Sequence, residues 1–330
     1  MSLGLTLVTG GSGMLGARIA RLLVARGEKV RVTYLPGDTL AALEDLRPLE
    51  HAPADLLDED AMGRALEGVE TVVHTAALVS FDPALYEQQM LVNVEGTRRL
   101  LAAARRAGVR RLVHTSTVNT LGIPPPGTLG DEGTPFNWGP YRIGYMDSKR
   151  AAEELVLEEA RRGLHAVVVL PGTLFGPGDV HLNGASYIRL VARAPLVAPA
   201  PPGGTTVAHV DDVAGGHLLA LEHGSSGRRY ILGGEPMSYV EMFEQIAAAL
   251  GRQVRVRRLP AWLTERAGRA GSWLRGRGVP APLTEGMAAA GAAELYYSSE
   301  RARRELGWSW RSGRDAIRDG VRWFRRWRPG

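Results

Sequence analysis

The chain has 330 residues, 45% of them apolar and 6% aromatic, a composition typical of a globular protein with a packed core. This length accommodates two domains, or one large α/β domain with a smaller appendage. Because the sequence contains no cysteine, disulfides, thiolate metal sites and a cysteine nucleophile are excluded, and we predict no metal site. The N-terminus runs directly into an apolar segment without a charged leader, so we expect a cytoplasmic protein.

The net charge of +5 is concentrated at the C-terminal end of the chain. Residues 301–330 contain ten arginines and three acidic residues, so the first 300 residues carry a net charge of −2. Residues 314–328 have apolar positions at a helical spacing, with two tryptophans among the arginines. We interpret this segment as a terminal helix, with contact to a membrane surface as the alternative. Binding of nucleic acid is not expected, since no nucleic-acid motif accompanies the charge.

The first elements form a strand, a glycine-rich loop and a helix. Residues 3–8 predict a buried strand and residues 17–25 a helix. The glycine spacing between them lets the backbone turn sharply and approach a pyrophosphate, while the helix N-terminus provides free N–H groups. The loop therefore predicts a dinucleotide site, whose contacts we assign to Gly10, Gly13, Met14, Leu15 and Gly16.

The end of the second strand, residues 29–35, bears on the choice of dinucleotide. In this kind of fold an acidic residue there binds the free 2′-hydroxyl of the adenosine ribose. Tyr34 and a leucine stand at that place, and the next acidic residue is Asp38. The missing acid favours NADP, with Arg18 and Arg31 as candidate partners of its 2′-phosphate. NAD held through Asp38 or through the main chain is the alternative.

Strands and helices continue to alternate as far as residue 170. This alternation predicts an α/β fold with a Rossmann-type, doubly wound parallel sheet and right-handed crossovers. We place a dinucleotide-binding domain at residues 1–178 and a smaller α/β substrate-binding region at 179–330, from which strands are free to return to the sheet. Within the second region we expect residues 194–204 to be a surface connection. Further strands are predicted at 52–55, 71–75, 111–115 and 165–170, and helices at 58–67, 85–107 and from 141 or 145 to 162.

Tyr145 and Lys149 carry the chemistry that the sequence suggests. They lie four residues apart on one predicted helix, so both project from the same face. A phenol with a pKa of about 10 is a poor base at neutral pH, and a nearby ammonium lowers that pKa. Lys149 is also one of only two lysines among 40 basic residues. Thr117 follows a strand, at the sheet edge where such folds bind ligands. We predict that Thr117, Tyr145 and Lys149 are catalytic.

These motifs resemble those of the extended short-chain dehydrogenases/reductases, the NAD-dependent epimerase/dehydratase family, over nearly the whole chain. The glycine loop is similar to the family's Thr-Gly-x-x-Gly-x-x-Gly motif, and Tyr145 with Lys149 to its Tyr-x-x-x-Lys pair. Residues 209–214 and 304–308 resemble later signatures of the extended group. The resemblance implies that Tyr34, Tyr145 and Lys149 contact the cofactor together with Asp55, Leu56, Thr75, Ala76, Ala77, Asn93, Thr115 and Pro171.

Two departures narrow this resemblance. The Asp-Glu pair that 4,6-dehydratases carry after the catalytic threonine is replaced here by Val118 and Asn119. The arginine that sugar-nucleotide enzymes carry before the Val-Asp-Asp segment is replaced by Gly-Gly-Thr-Thr at residues 203–206. The chain is therefore most similar to the dihydroflavonol-reductase and 3β-hydroxysteroid-dehydrogenase branch.

That branch implies an NAD(P)-dependent oxidoreductase. It would transfer a hydride between the nicotinamide and a ketone, aldehyde or secondary alcohol of a fairly apolar small molecule, with Tyr145 as general acid/base. A homodimer, paired through the helices around Asn93 and Tyr145, is also implied. Two alternatives stay open: a sugar-nucleotide epimerase with tightly bound NAD, and a non-catalytic redox sensor that binds a dinucleotide.

Overall fold

The structure, a computed structural model, describes residues 3–281 and 283–327. Its strands are β1 (Leu5–Thr9), β2 (Lys29–Thr33), β3 (Glu50–His51), β4 (Val69–His74), β5 (Arg111–Thr115), β6 (His165–Pro171), β7 (Thr173–Phe175), β8 (Val197–Ala200), β9 (Gly204–His209), β10 (Arg229–Leu232), β11 (Glu235–Ser238), β12 (Arg255–Arg258) and β13 (Glu294–Leu295). Its helices are α1 (Met14–Ala25), α2 (Glu59–Ala65), α3 (Tyr86–Gln89), α4 (Gly96–Arg106), α5 (Gly144–Arg161), α6 (Ala185–Arg193), α7 (Val210–His223), α8 (Tyr239–Ala249), α9 (Ala261–Arg275), α10 (Glu285–Ala292), α11 (Glu300–Leu306) and α12 (Gly313–Arg326).

Seven strands form one parallel sheet in the order β10-β6-β5-β4-β1-β2-β3. The strand order reverses between β1 and β4, which is the doubly wound arrangement with its ligand crevice at the carboxyl ends of those strands. The predicted Rossmann-type fold is confirmed. One strand from the second half of the chain, β10, pairs with β6 at the edge of this sheet.

One strand and one helix differ from their predicted positions. The third strand lies at Glu50–His51, not at 52–55. The amides of Ala52 and Ala54 still donate to the carbonyl oxygens of Val32 in β2 and of Tyr34, just after it, at 3.0 Å. Pro53, between them, has no N–H to extend the ladder at this outer edge. The helix predicted at 85–107 is interrupted by a π-helical turn, Met90–Glu95, that joins α3 to α4.

Residues 194–204, expected as a surface connection, instead contain the strand β8. Ala198 and Ala200 are fully buried, and β8 pairs in parallel with β12. Exposed and buried residues alternate along β8, as in a half-buried strand. Its proline and alanine residues are not typical of strands, so the sequence did not predict it. A further small sheet forms around β9, which pairs with β7, β11 and β13.

Three buried clusters hold the molecule together. One lies between the main sheet and helices α1, α7 and α11, and the second between the opposite face of the sheet and α2, α4 and α5. The third cluster joins α6, α8 and α12 to β9, and its members on α12 are Ala316, Ile317 and Val321. Burying both faces of a parallel sheet in this way explains its continuous apolar strands.

The terminal helix α12 is thus part of the fold's packing. Trp323 and Trp327 are half-buried and stack on each other with ring centroids 5.1 Å apart. Arg318 and Arg322 pair with acidic residues of the same helix. Arg328, the last residue of the predicted segment, lies outside the described residues. In residues 3–281 and 283–327, no helix is long and apolar enough to cross a membrane.

Candidate active site

The glycine loop joins β1 to α1 so closely that side chains do not fit at two of its positions. Gly10 has a φ of +69°, and a Cβ there would lie 2.9 Å from the backbone of Ala76. A Cβ on Gly16 would lie 2.2 Å from the carbonyl oxygen of Gly10. At Gly13 the nearest atom would be at 3.4 Å, an ordinary contact, so this position is open toward the crevice.

The N-terminus of α1 is suited to hold an anion. Gly13 is its N-cap residue, no described side chain caps the first turn, and that turn contains no acidic residue. Its free N–H groups and the positive end of the helix dipole therefore remain available for a pyrophosphate. Met14 is buried, and its Cα lies near Gly178, whose φ is +97°. Leu15 packs against the first buried cluster.

An acidic residue returns to this loop from beyond β2. The carboxylate of Asp38 accepts hydrogen bonds from the hydroxyl of Ser12 at 2.6 Å and from the amide of Leu35 at 3.2 Å. The two arginines considered for a 2′-phosphate have other partners. Arg18 pairs with Asp211 at 3.1 Å, and Arg31 binds Glu50 and two carbonyl oxygens.

Three of the implied cofactor contacts, Tyr34, Asp55 and Leu56, follow β2 and β3 in the chain. Tyr34 packs edge-on against His51, with 5.9 Å between the ring centroids, in a cavity of about 260 Å³. The carboxylate of Asp55 accepts the amide of Leu57 at 2.9 Å. Leu56 is buried, and a Cβ on Gly96 of α4 would approach its side chain to 3.0 Å. Leu56 thus packs into the core.

At the end of β4, a hydrogen-bonded cluster fixes the backbone that faces the crevice. The hydroxyl of Thr9 bonds Nδ1 of His74 at 2.8 Å and accepts the amides of Thr75 and Ala76 at 3.2 Å each. The Thr75 hydroxyl donates to the Thr9 carbonyl at 2.6 Å. Burial, together with the Lys149 ammonium, lowers the pKa of His74 to about 3. His74 is therefore a neutral structural residue, and Ala76 and Ala77 follow it toward the crevice.

Asn93 holds three parts of the site together. It lies in the π-helical turn, is 2% exposed, and bonds both the N–H and the C=O of Leu78, at 2.7 and 3.0 Å. Its amide also donates to the hydroxyl of Ser148 on α5 at 2.9 Å. The segment after β4 and the helix with Lys149 are therefore positioned by one side chain.

The three predicted catalytic residues meet at the carboxyl end of β5. Lys149 is 3% exposed, and its Nζ donates to the carbonyl oxygen of Thr115 at 2.7 Å. Burial lowers the pKa of Lys149 to about 8 although the Glu153 carboxylate raises it. Burial raises the pKa of Tyr145, while a hydrogen bond with Thr117 lowers it. The expected fall in the pKa of Tyr145 is thus wrong for this state, because the ammonium is directed at Thr115.

Glu153 is a part of the site that the sequence reading missed. It lies one helical turn beyond Lys149 on α5, is fully buried, and accepts hydrogen bonds from Ser116 and Thr120 at 2.7 Å each. Arg229 pairs with its other oxygen at 3.2 Å. The repeated spacing of four from Tyr145 through Lys149 to Glu153 was a signal that could have identified it.

A second missed feature is a group of buried histidines under Lys149. His114 on β5 lies 5.1 Å from His74 between ring centroids, and neither of its ring nitrogens has a hydrogen-bond partner in the described chain. His217 bonds the Thr115 hydroxyl at 2.8 Å. Burial and then the Lys149 ammonium lower the pKa of His114 well below its ordinary value. The charged Lys149 therefore lies against neutral rings.

The arrangement fits a bound nicotinamide dinucleotide. The glycine loop and the uncapped N-terminus of α1 form one end of the crevice, and Thr117, Tyr145 and Lys149 form the other end. Pro171, at the end of β6, pairs in register with Leu232 at the same edge of the sheet. Lys149 forms no ion pair with any described residue, so its charge is available to a ligand hydroxyl.

Comparisons with known proteins identify the family of the chain. A model of the NAD-dependent epimerase/dehydratase family matches residues 6–233, so the chain belongs to that family. Sterol demethylase protein B of Methylococcus capsulatus is 36% identical over 97% of this chain and 98% of its own length. A Synechocystis protein named after dihydroflavonol 4-reductase is 31% identical over 96% of this chain and 93% of its own.

A solved structure, that of gox2253, is similar over the whole fold. It has a TM-score of 0.85 at 34% identity and covers 98% of both chains. Relatives named 3-beta-hydroxysteroid dehydrogenase also match. The chain is therefore an NAD(P)-dependent dehydrogenase/reductase of the extended short-chain type, and the predicted family is confirmed.

We expect alanine to have different effects at Gly16 and Gly13 of the glycine loop. Gly16→Ala places a methyl group 2.2 Å from a backbone oxygen, so we expect a loss of about 1–3 kcal/mol in the free energy of unfolding. Gly13→Ala has room in the protein, but its methyl group faces the place of the pyrophosphate. We expect it to retain stability and lose NAD affinity. Urea unfolding and calorimetric NAD titration test this pair, and equal stability losses would contradict it.

Because Lys149 is buried, we expect the difference in unfolding free energy between the wild type and Lys149→Met to depend on pH. Because its pKa is 10.5 when unfolded and about 8 when folded, the unfolded chain binds more protons between these values, and stability rises with pH there. Below that range its burial costs about 3 kcal/mol. Lys149→Met removes this dependence. In urea unfolding, the free energy of unfolding of the variant should therefore exceed that of the wild type most at pH of about 7. The difference should become progressively smaller toward pH of about 10. A difference that stays constant with pH would refute the assignment.

Proposed function

We propose that the enzyme transfers a hydride between NAD and a ketone, aldehyde or secondary alcohol of an apolar small molecule. The observation that carries the proposal is that Thr117, after β5, and Tyr145, on α5, lie beside the buried Lys149, which forms no ion pair with any described residue and donates to the carbonyl oxygen of Thr115. A structural tyrosine needs no such lysine, and burying the ammonium costs stability. A proton-transfer site that also binds a ribose hydroxyl accounts for both residues.

The chain's own residues would act on the oxygen of the substrate. The dinucleotide, when bound, supplies or accepts the hydride at the reacting carbon. In the reducing direction Tyr145 donates its proton to the developing alkoxide, and in the oxidising direction it accepts the proton of the alcohol. The hydroxyl of Thr117 orients that oxygen. Lys149, redirected from Thr115 toward a ribose hydroxyl near Tyr145, would lower the pKa of the phenol.

The proposed substrate is apolar because of the surroundings of Tyr145. The ring of Phe81 lies 5.6 Å from the ring of Tyr145, and both Phe81 and Val79 are exposed at the rim of the site. Apolar side chains exposed beside a reacting group favour an apolar ligand over a nucleotide sugar. The name of the similar Methylococcus protein, which refers to a sterol, supports the same class.

For the cofactor we propose NAD, in place of the NADP favoured by the sequence alone. Asp38 reaches Ser12 of the glycine loop, at the level where the adenosine ribose is bound in this fold. A carboxylate there accepts the 2′-hydroxyl of NAD and repels the 2′-phosphate of NADP. Arg18 and Arg31, paired elsewhere, are not directed at that place.

Three further expectations stay predictions. They are a homodimer formed through the helices around Asn93 and Tyr145, a cytoplasmic location, and a boundary between domains near residue 178. Of the alternatives, an epimerase would retain NAD through purification and consume none, whereas a dehydrogenase exchanges it. A redox sensor would have no use for the intact Thr117, Tyr145 and Lys149.

Tyr145 provides the direct test of the mechanism. Tyr145→Phe removes the proton donor while keeping the ring, so we expect kcat to fall by about 10²–10⁴-fold with NAD affinity unchanged. Tyr141→Phe is the matched control, since Tyr141 lies outside α5 and is exposed. Steady-state assays with carbonyl compounds measure both. Full activity in Tyr145→Phe would exclude the mechanism.

Asp38 provides the test of the cofactor. Asp38→Asn keeps the size of the side chain and removes its charge, so the ratio of NADP to NAD affinity should rise about tenfold or more. Asp45→Asn removes an exposed carboxylate of the same segment that pairs with Arg21, and should leave the ratio unchanged. An unchanged ratio in Asp38→Asn would show that the 2′-position is recognised elsewhere.

A further inference from the structure

Helix α9 carries an exposed stripe of tryptophan and arginine. Trp262, Arg266, Arg269 and Trp273 follow one another at spacings of four, three and four, so they lie on one face of the helix. Trp262 is 58% exposed and Trp273 is 57% exposed, although indole side chains are usually covered in folded proteins. We call these four residues, with Arg277 one turn beyond, the α9 stripe.

The opposite face of α9 is locked against α10. Thr264, Gly268 and Gly271 are buried there. A Cβ on Gly271 would lie 1.9 Å from the carbonyl oxygen of Leu283, and one on Gly268 would lie 2.6 Å from the Cβ of Ala288. This close packing fixes the rotation of α9, so the tryptophans cannot turn inward without separating the two helices.

The chain segment that contains the stripe is strongly basic. Residues 255–279 contain seven arginines and one glutamate, a net charge of +6. The guanidinium of Arg266 lies 5.4 Å from the ring centre of Trp262, and that of Arg277 lies 3.6 Å from the ring centre of Trp273. Aromatic rings with cations beside them are typical of helices that lie in the headgroup region of a bilayer.

This surface borders the active site. Arg275 at the end of α9 pairs with Asp82 at 2.8 Å, and the neighbouring Phe81 contacts Tyr145. On the other side, a Cβ on Gly286 of α10 would lie 2.8 Å from the side chain of Ile143, two residues before Tyr145. The α9–α10 pair therefore spans the rim of the crevice in which Tyr145 acts.

We propose that α9 docks on the surface of an anionic phospholipid bilayer, with the α9 stripe in the headgroup region. The indoles of Trp262 and Trp273 enter the interface while Arg266, Arg269 and Arg277 bind lipid phosphates. A second copy of the chain is a poor occupant, because two α9 stripes, each with three arginines, would repel each other. An apolar substrate then enters the crevice from the lipid; this last point rests on the proposed function, whereas docking does not.

The first test measures binding of the full chain to vesicles by flotation. We expect the protein to float with vesicles of phosphatidylcholine and phosphatidylglycerol, to stay in solution with phosphatidylcholine alone, and to be released by salt. No flotation with the anionic vesicles would overturn the proposal. The measurement needs no substrate, so its outcome is independent of whether Tyr145 is catalytic.

Charge variants locate the contact. Each arginine near an anionic surface contributes about a fivefold factor in binding, so Arg266→Glu with Arg269→Glu should weaken vesicle binding by about 25-fold or more. Arg105→Glu with Arg106→Glu makes the same change in net charge at exposed positions of α4 and should lose much less. Equal losses in the two double variants would show that net charge alone drives binding, and would overturn a site on α9.

Tryptophan variants test the depth of insertion. Brominated lipids should quench the fluorescence of the wild type, and this quenching should disappear in Trp262→Ser with Trp273→Ser. Since both side chains are exposed, the variant should keep the wild-type melting temperature and NAD affinity, which verifies its fold. Unchanged quenching, or a change in oligomeric state of the variant, would contradict the proposal and indicate another surface or a protein partner.

Discussion

The buried ammonium of Lys149 is the constraint around which the site is built. An ammonium without a counterion is costly to bury, and here the carbonyl oxygen of Thr115 and the more distant carboxylate of Glu153 offset only part of that cost. Glu153 in turn is held by Ser116, Thr120 and Arg229, so β5, α5 and β10 are joined behind the lysine. A ribose hydroxyl is the partner that would complete it. The bound ligand would therefore give the Lys149 ammonium the polar partner that the folded chain does not provide.

The remaining parts of the site hold this lysine and its neighbours in register. Asn93 connects the segment after β4 to α5, and Thr9 fixes the backbone at Thr75 and Ala76. Both act through short side chains whose hydrogen bonds fix the backbone around the crevice. By contrast, the rim near Phe81 and α9 carries exposed apolar side chains. A polar interior with an apolar entrance suits a shared cofactor and a water-insoluble substrate.

The sequence predicted the parts of the site that depend on local spacing. The glycine loop, Tyr145 and Lys149 are set by the geometry of one turn or one helix, and the family follows from them. It could not place Asp38, because the turn that returns this residue to Ser12 is irregular. Nor could the sequence predict that one face of β8 is buried, or that a π-helical turn brings Asn93 to Leu78 and Ser148, since both depend on tertiary packing. The exposure of Trp262 and Trp273 could not be predicted for the same reason, because the contact of α9 with α10 decides which face of α9 is exposed.

The central claim is that the nicotinamide and a substrate carbon exchange a hydride beside Tyr145. Its most direct measurement uses NADH carrying deuterium at both C4 positions of the nicotinamide ring and follows the label by mass spectrometry during reduction of an apolar ketone. Direct hydride transfer predicts one deuterium on the carbinol carbon, with one equivalent of NAD formed for each alcohol. Product without the label, or label exchange without net oxidation of the dinucleotide, would contradict it.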